Sequence, residues 1–297
     1  MRRRTGLALA GRLLAATAVL VAGVLAGTAR AQPPVWIVKG DHATMILFGS
    51  LHVLPRGLDW MPPVLSNALA TSDEVWFELP MDAATQARIG ALARERGLFK
   101  SGETLFGALD PAQRDRLTRD AAKVGVEPRA LQTLRPWLAD VVLSLALDGK
   151  SGADGADGVE ARIEALAPLA ARRRAFETPE QQIALLADAS TAEQVAGLES
   201  TFDDIERKDS VYRRLLTAWM TGDVARLKHE VLDPLRRKTP DLYARLIADR
   251  NRRWVAAIDD RLAQGGTVVV VVGLGHLIGP DGVPARLRAQ GVRVEGP

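Results

Sequence analysis

The chain has 297 residues, a formal net charge of +3 and no cysteine. The lack of cysteine excludes disulfides, thiolate metal ligands and a cysteine nucleophile. Five arginines and no acidic residue lie within residues 1–31, so residues 32–297 carry a net charge of 3 − 5 = −2, and we expect no nucleic-acid partner.

Residues 1–31 have the pattern of a secretory signal peptide. Arginines at positions 2–4 precede an apolar segment at 13–25, and residues 29–31 read Ala-Arg-Ala, which fits a cleavage site. The apolar segment is shorter than the about 20 residues that a bilayer-spanning helix needs, which disfavours an uncleaved anchor. We therefore expect cleavage after Ala31 and a periplasmic or secreted protein with no stable membrane anchor.

Two short apolar runs near the start of the mature chain predict a β-hairpin. The runs lie at 35–38 and 45–48, and residues 41–44 form the loop between them. Gly49 and His52 follow the second run directly, in the order Gly-x-x-His. The hairpin therefore presents an imidazole just beyond the end of a predicted strand.

A helix and a third strand are predicted to follow the hairpin. The prolines at 62–63 mark a helix start, and residues 74–79 form another strand-like run. A helix between two parallel strands gives a crossover unit of the βαβ kind. Glu78 lies near the end of this run, just before Pro80, so a carboxylate is expected at the strand end.

The middle of the chain, residues 82–264, is rich in alanine, leucine and arginine at helical spacing and has essentially no strand signals. Pro111, Pro136 and Pro179 mark helix starts within it. Residues 152–158 read GADGADG and are expected to form a flexible break. The pattern predicts a large helical insertion.

The last part of the chain contains the strongest strand signal. Five consecutive valines at 268–272 form a run too short to span a membrane, and such a run is typical of a strand buried on both faces of a sheet. Gly273 and His276 follow, which repeats the order strand, then Gly-x-x-His. A last helix is expected at 281–290 and a short edge strand at 292–294.

These elements predict an α/β fold with a central mixed sheet. The sheet core is expected to come from residues 32–81 and 265–297, with the helical insertion at 82–264 between them. Residues 32–297 would then form a single domain. In α/β folds the functional sites lie at the carboxyl ends of the strands, which is where the two histidines occur.

Three predicted strand ends supply candidate metal ligands, namely His52, Glu78 and His276. A single Gly-x-x-His is common, but two copies, each after a strand-like run in a chain with four histidines, are more specific. Two imidazoles and a carboxylate suit Zn, Mn, Co or Fe and leave coordination positions open. A metal lowers the pKa of a bound water from about 15.7 towards neutrality, so hydrolysis is the simplest use. Glu78 would act as a ligand or as the general base.

The other two histidines and one serine are expected to have no role in the chemistry. His42 lies in the hairpin loop and His229 lies in a charged helical segment, so both should be exposed. Ser50 lies in Gly-Ser-Leu-His, which lacks the Gly-x-Ser-x-Gly elbow of a serine nucleophile. Its hydroxyl is expected to bond the local turn.

Five segments of the mature chain match, in the same order, the pattern of one protein family. They are WIVKGDHATMILFGSLHVLP at 36–55, VWFELP at 75–80, FETPEQQIALL at 176–186, DRNRRW at 249–254 and VVGLGHLIGPDGVPARLRAQGVRV at 271–294. On these segments the chain resembles exported bacterial proteins of the TraB/GumN family. The resemblance spans essentially the whole mature chain, and it implies an α/β core with a large helical insertion.

The resemblance also implies a candidate set of site residues. The chain is similar to the wider group that contains the Tiki-type metal-dependent proteases, in which paired Gly-x-x-His motifs and a glutamate line the site. Carried over to this sequence, the likeness points to His52, Glu78 and His276, with Arg250 and Asn251 beside them. A guanidinium at this place would hold a substrate carboxylate or stabilise an oxyanion.

Two further features concern the edges of this predicted site. Gly49 and Gly273 open the two histidine motifs and are expected to line the site. Relatives often have Gly-Val-Asp before a helix, whereas this chain has Gly-Val-Glu at 158–160, so the resemblance leaves the role of Glu160 open.

The residues are compatible with three functional interpretations. The first is an exported metal-dependent hydrolase that acts on peptide bonds or on a related small-molecule substrate. The second is a non-catalytic periplasmic binding protein that holds a metal complex or small ligand in the same cleft. In the third, the two Gly-x-x-His turns are purely architectural, since glycines at strand ends have structural uses. The sequence gives no preference for an oligomeric state.

Overall fold

Strands near residue 35 and near residue 295 belong to one mixed sheet in the computed structural model, which describes residues 32–207 and 210–297. The predicted signal peptide at 1–31 lies outside the described residues. In chain order the strands are β1 (Val35–Lys39), β2 (Ala43–Ser50), β3 (Leu54–Pro55), β4 (Glu74–Phe77), β5 (Ala153–Asp154), β6 (Arg172–Ala175), β7 (Gly266–Gly273) and β8 (Arg293–Glu295). The described strands of the main sheet follow the order β6-β4-β7-β2-β1-β8, and β3 pairs with β5 separately.

Helices cover the sheet and fill the insertion. They are α1 (Pro63–Ala70), α2 (Ala83–Gly97), α3 (Leu105–Ala108), α4 (Pro111–Val124), α5 (Pro136–Lys150), α6 (Val159–Leu166), α7 (Pro179–Ala187), α8 (Thr191–Glu206), α9 (Val211–Thr221), α10 (Val224–Lys238), α11 (Pro240–Tyr243), α12 (Asp249–Leu262) and α13 (Val283–Ala289). The proline-marked starts of α1, α4, α5 and α7 are confirmed. Among the described residues, no helix combines the length and apolar character that crossing a membrane requires.

The valine run at 268–272 forms the centre of the sheet, as predicted. All five valines are at most 1 % exposed, and β7 is paired in parallel with β2 on one side and β4 on the other. Ser50 is opposite Gly273, and Phe77 is opposite Val271. Because these parallel strands end at one edge, the residues that follow them are brought to the same place.

The α/β architecture with a helical insertion is confirmed, but the insertion also contributes a sheet strand. β6 pairs in parallel with β4, although its sequence Arg-Arg-Arg-Ala has no apolar or β-branched pattern. The buried carboxylate of Glu74 on β4 forms ion pairs with Arg172 and Arg174 of β6. The hydrogen bonds to β4 and the ion pairs with Glu74 therefore stabilise β6, although its residues have little intrinsic strand propensity.

The insertion has hydrophobic cores of its own besides the core around the sheet. One contains Leu117 of α4, Leu143 of α5 and Phe202 of α8, each of them 0 % exposed. The sheet core, in contrast, is closed by Trp219 and Trp254, which lie on α9 and α12. The indole nitrogen of Trp219 donates to the carbonyl of Gly49 at 2.8 Å, so α9 is fixed to the end of β2.

The segment at 152–158 is not the flexible break that its glycines predict. Its first part forms β5 against β3, and Val159 donates its backbone N–H to the carbonyl of Leu51 at 3.2 Å. A Cβ atom at Gly158 would lie 2.0 Å from the carbonyl oxygen of His52. The backbone at Gly158 therefore packs directly against the Gly-x-x-His turn that ends at His52.

Substitution of Gly158 by alanine is predicted to destabilise the protein. The added Cβ would overlap the His52 carbonyl, and relieving an overpacked contact costs about 1–3 kcal/mol. The loss is measured as a lower midpoint of urea unfolding with an unchanged slope. Gly155→Ala is the matched control, because a Cβ there meets nothing within 4 Å. Equal midpoints for the two variants would contradict the packing described here.

Candidate functional site

The three predicted ligands converge at the carboxyl edge of the sheet, around Gly273. A Cβ atom at Gly273 would lie 3.0 Å from Oε1 of Glu78, 3.7 Å from Nε2 of His52 and 3.8 Å from Cδ2 of His276. The parallel register of β2, β4 and β7 explains this meeting, since each residue follows the end of one of these strands. The lack of a side chain at Gly273 allows the three groups to approach the end of β7 this closely.

Glu160 orients the imidazole of His52. Its Oε1 lies 2.7 Å from Nδ1 of His52 and accepts a hydrogen bond from the hydroxyl of Ser50 at 2.5 Å. The Glu160 carboxylate raises the pKa of His52. The hydroxyl of Ser50 therefore bonds a carboxylate on α6, and not the local turn as predicted. Glu160 is a site residue that the sequence did not identify, and the family's acidic residue at this place was the available signal.

His276 is buried and its ring is fixed by Asn251. Nδ1 of His276 lies 2.6 Å from Oδ1 of Asn251, whose amide nitrogen donates to the carbonyls of His276 and Asp281. The amide oxygen must therefore accept, so the hydrogen of His276 is on Nδ1 and the lone pair is on Nε2. Burial lowers the pKa of His276 to about 3, which keeps the imidazole neutral.

Glu78 accepts hydrogen bonds at both carboxylate oxygens. The backbone N–H of Gly273 donates to Oε1 at 2.6 Å. Oε2 accepts hydrogen bonds from Nη2 of Arg250 at 2.5 Å and from Nε2 of Gln182 at 3.2 Å. Burial disfavours the charged carboxylate, but His276, Arg250 and the Gly273 amide outweigh it and lower the pKa of Glu78 to about 2. Glu78 is therefore ionised throughout the physiological range.

Arg250 uses all five of its N–H groups inside the protein. Nε and Nη2 form a bidentate pair with Glu177 at 2.7 and 2.8 Å, and Nη2 also donates to Glu78. Nη1 donates to the carbonyl of Leu246 at 3.1 Å and lies 2.9 Å from Nε2 of His276. Because an arginine has five donors and these are five acceptors, none is left for a substrate. In this arrangement Arg250 positions Glu78 and His276, and its contact with a substrate carboxylate or an oxyanion stays a prediction.

Local backbone features place Arg250 and Asn251 in the site. A π-helical turn at Ala244–Ala248 precedes α12, and the carbonyl of Leu246 within it is the one that Arg250 binds. Such turns leave carbonyls outside the regular helical pattern and are frequent at functional sites. The guanidinium also lies 4.8 Å from the ring centre of Trp254, so its flat face is covered.

Two further residues of the site were not identified from the sequence. Glu177 follows β6 as Glu78 follows β4, and its backbone N–H donates to the Glu78 carbonyl at 2.9 Å. Gln182 lies on α7 and donates to Glu78. Both lie in the segment at 176–186 that matched the family, but their place is evident only once β6 is known. His42 and His229 are exposed, as predicted.

The donor atoms at this site fit a divalent metal in kind and orientation. Each histidine has its Nδ1 held by an acceptor, as in metal-ligating histidines generally, so Nε2 is the ring nitrogen that would coordinate; in His276 this atom lies 2.9 Å from Nη1 of Arg250. Nε2 of His276 and Oε1 of Glu78 are 3.9 Å apart, near the about 3.4 Å that bonds of 2.0–2.2 Å at a tetrahedral angle would give. In the described residues no group of three or more ligand side chains has the spacing of an assembled metal site. Assembly requires the contact between Arg250 and His276 to open.

Replacing Glu160 with glutamine is predicted to lower the pKa of His52 in the metal-free protein. The change keeps the size of the side chain but removes the negative charge that stabilises the imidazolium. The pKa is measured from the pH dependence of the imidazole NMR resonances. Glu164→Gln is the control, since Glu164 lies on the same helix and contacts Arg173. An equal change of the His52 pKa in both variants would contradict the contact.

Comparisons with known proteins identify one family, over most of the chain. A search among curated proteins gives no match. A search among solved structures gives no match either. The sequence model of one family does match, and it covers residues 34–296, which include every site residue described above. The chain therefore belongs to the TraB/PrgY/gumN family.

Proposed function

We propose that this protein is an exported metal-dependent hydrolase that acts on peptide bonds. The observation that carries the proposal is the orientation of the two histidines. Both have Nδ1 bonded to an acceptor, and both lie with the ionised Glu78 around Gly273. Hydrolysis is supported by this donor set, and the choice of peptide bonds comes from the likeness to the Tiki-type proteases.

His52, Glu78 and His276 would hold the metal. When bound, a divalent ion in such a site acts as a Lewis acid and lowers the pKa of water. Glu160 and Asn251 fix the tautomers of the two imidazoles and keep their Nε2 atoms directed at the ion. These two residues act through the histidines and do not need to touch a substrate.

The charges around the site favour a cation. Glu78, Glu160 and Glu177 supply three carboxylates, whereas Arg250 and the protonated His52, whose pKa Glu160 raises to about 9, supply two positive charges, so the balance is −3 + 2 = −1. In a partly buried site an unbalanced negative charge is costly, and a divalent cation would offset it. The same charge balance disfavours binding of a free anion in the space at Gly273.

The low pKa of Glu78 supports the first of its two candidate roles, metal ligand and general base. A carboxylate with a pKa of about 2 takes up a proton poorly near neutral pH, so it is a weak general base. It is well suited to remain ionised and hold a cation. We therefore assign Glu78 to metal binding.

The serine at the site does not provide an alternative nucleophile. A nucleophilic serine needs a base within hydrogen-bonding reach, usually a histidine that takes its proton. The hydroxyl of Ser50 instead donates to Glu160, which already holds His52. With no cysteine in the chain, water is the nucleophile that the site favours.

The purified protein is predicted to bind a near-stoichiometric divalent metal after loading with Zn, Mn, Co or Fe. His52→Ala and His276→Ala should each remove the bound metal, because each deletes a donor atom. Asn251→Ala should weaken binding about 10–100-fold, the usual effect of removing a group that orients a ligand. Metal content is measured by elemental analysis after gel filtration.

His229→Ala is the matched control for this experiment, since its exposed imidazole lies on α10 away from the site. It should retain the metal. Hydrolysis is then assayed with a peptide library, in which metal-loaded wild type should cleave and the His52 and His276 variants should not. Stoichiometric metal without any cleavage would favour the binding protein, and no metal under any loading condition would overturn the proposal.

We further propose export with cleavage after Ala31. When the full chain is expressed in a Gram-negative host, the periplasmic protein should begin at Gln32, as measured by intact mass and N-terminal sequencing. Ala31→Arg should block cleavage, because the signal peptidase requires a small residue there. Gln32→Asn is the control and should be processed normally. Full-length protein confined to the cytoplasm would contradict this prediction.

A further inference from the structure

A cavity lies beside α12, next to the candidate site but lined by different residues. It has a volume of about 250 Å³ and is lined by Trp76, Arg174, Phe176, Arg253, Trp254 and Ala257, among others. Trp254 contacts both regions, since its ring centre is 4.3 Å from that of His276 and 4.7 Å from that of Phe176. We refer to this space as the Phe176 cavity.

Aromatic carbon forms the apolar part of the Phe176 cavity. The ring of Phe176 stacks on Trp254 and meets Trp76 edge-on at a centre distance of 5.2 Å. Both indole N–H groups are already bonded, that of Trp76 to Glu74 and that of Trp254 to Glu177. Trp76 and Trp254 are buried behind Phe176, which is only partly buried, so the Phe176 ring presents the apolar surface and suits another planar apolar group.

The polar part of the cavity is positively charged. Arg253 is exposed and has no hydrogen-bond or ion-pair partner among the residues that the structure describes. Arg174 shares the Glu74 carboxylate with Arg172 and Arg261, so three guanidinium groups surround one negative charge. This excess of positive charge favours an anion.

The acidic residue in the cavity wall does not cancel this charge. Both carboxylate oxygens of Glu177 are bonded to Arg250, which belongs to the candidate site. Glu177 is also buried, so it presents little negative charge to a ligand. Arg174 and Arg253 thus remain the groups that a ligand in the cavity would meet.

We propose that the Phe176 cavity binds a small aromatic carboxylate. The ring packs against Phe176, and the carboxylate lies between Arg174 and Arg253, whose guanidinium groups match its geometry. The volume is just below the roughly 300–1,000 Å³ of sites for drug-sized ligands, which limits the ligand to about one ring. This site does not depend on a metal or on turnover, so it is independent of the proposed function.

The test is titration of phenylacetate into the chelator-treated protein, followed by calorimetry and ligand-observed NMR. Phenylacetate should bind saturably at one site, and its neutral analogue phenylacetamide should bind more weakly. Arg253→Gln should weaken phenylacetate binding about tenfold, the loss expected for a charge-assisted hydrogen bond. This substitution is exposed, so the fold should be retained.

Three further variants test whether the ligand lies in the Phe176 cavity. Arg237→Gln removes an exposed arginine that does not line the cavity and should leave binding unchanged. Ala257→Leu fills the cavity without changing charge and should abolish binding. His52→Ala alters the candidate site and should have no effect.

Some results would overturn the proposal. One is the absence of saturable binding by the wild-type protein. Another is equal weakening by Arg253→Gln and Arg237→Gln, which would indicate general electrostatic attraction. A third is loss of binding in His52→Ala with normal binding in Arg253→Gln, which would place the ligand in the candidate site.

Discussion

Parallel pairing of β7 between β2 and β4 is the constraint on which the candidate site depends. The pairing places Ser50 opposite Gly273 and Phe77 opposite Val271, so three strands end at one edge. The strand register alone therefore brings the two Gly-x-x-His turns and the glutamate together, and no long loop is needed to do so. A shift of one residue in this register would reverse the faces of the strand and separate the donors. The valines of β7 are buried on both faces of the sheet. A neighbouring strand can therefore pair with them only in a register that also buries its own apolar residues, as β2 and β4 do.

Arg250 performs the second organising function, because it connects the sheet edge to the helices. It is buried together with Glu78 and Glu177, and each of its N–H groups has an acceptor. Removing one partner of a buried ion pair leaves an uncompensated charge, which costs far more than losing an exposed pair. The position of Glu78 is therefore set by Arg250 as much as by β4. A cation bound at Gly273 would enter a site whose other charges are already held in place.

The sequence predicted the elements that the local pattern of apolar residues and prolines determines. It missed the elements that form only through pairing with another strand. The valine run, the hairpin and the proline-marked helix starts follow from local physics, and all occur in the structure. β6 does not follow from local physics. Its three consecutive arginines form a strand because they pair with β4 and because two of them form ion pairs with Glu74. Glu177 was missed for the same reason, because its place follows from β6. The role of Glu160 was left open because this chain has glutamate where relatives often have aspartate, and the close approach of Gly158 to His52, which brings Glu160 to the site, is a tertiary contact.

The division of labour within the site follows from these observations. The strands shared by the two ends of the chain supply His52, Glu78 and His276, whereas the insertion supplies the residues that orient them: Glu160, Glu177, Gln182, Arg250 and Asn251. Orienting groups alter the charge and tautomer of a ligand without changing the ligand itself. Change within the insertion can therefore adjust the electrostatics of the site while the sheet edge stays constant. A motif search restricted to Gly-x-x-His would find the donors and overlook the part of the chain that sets their properties.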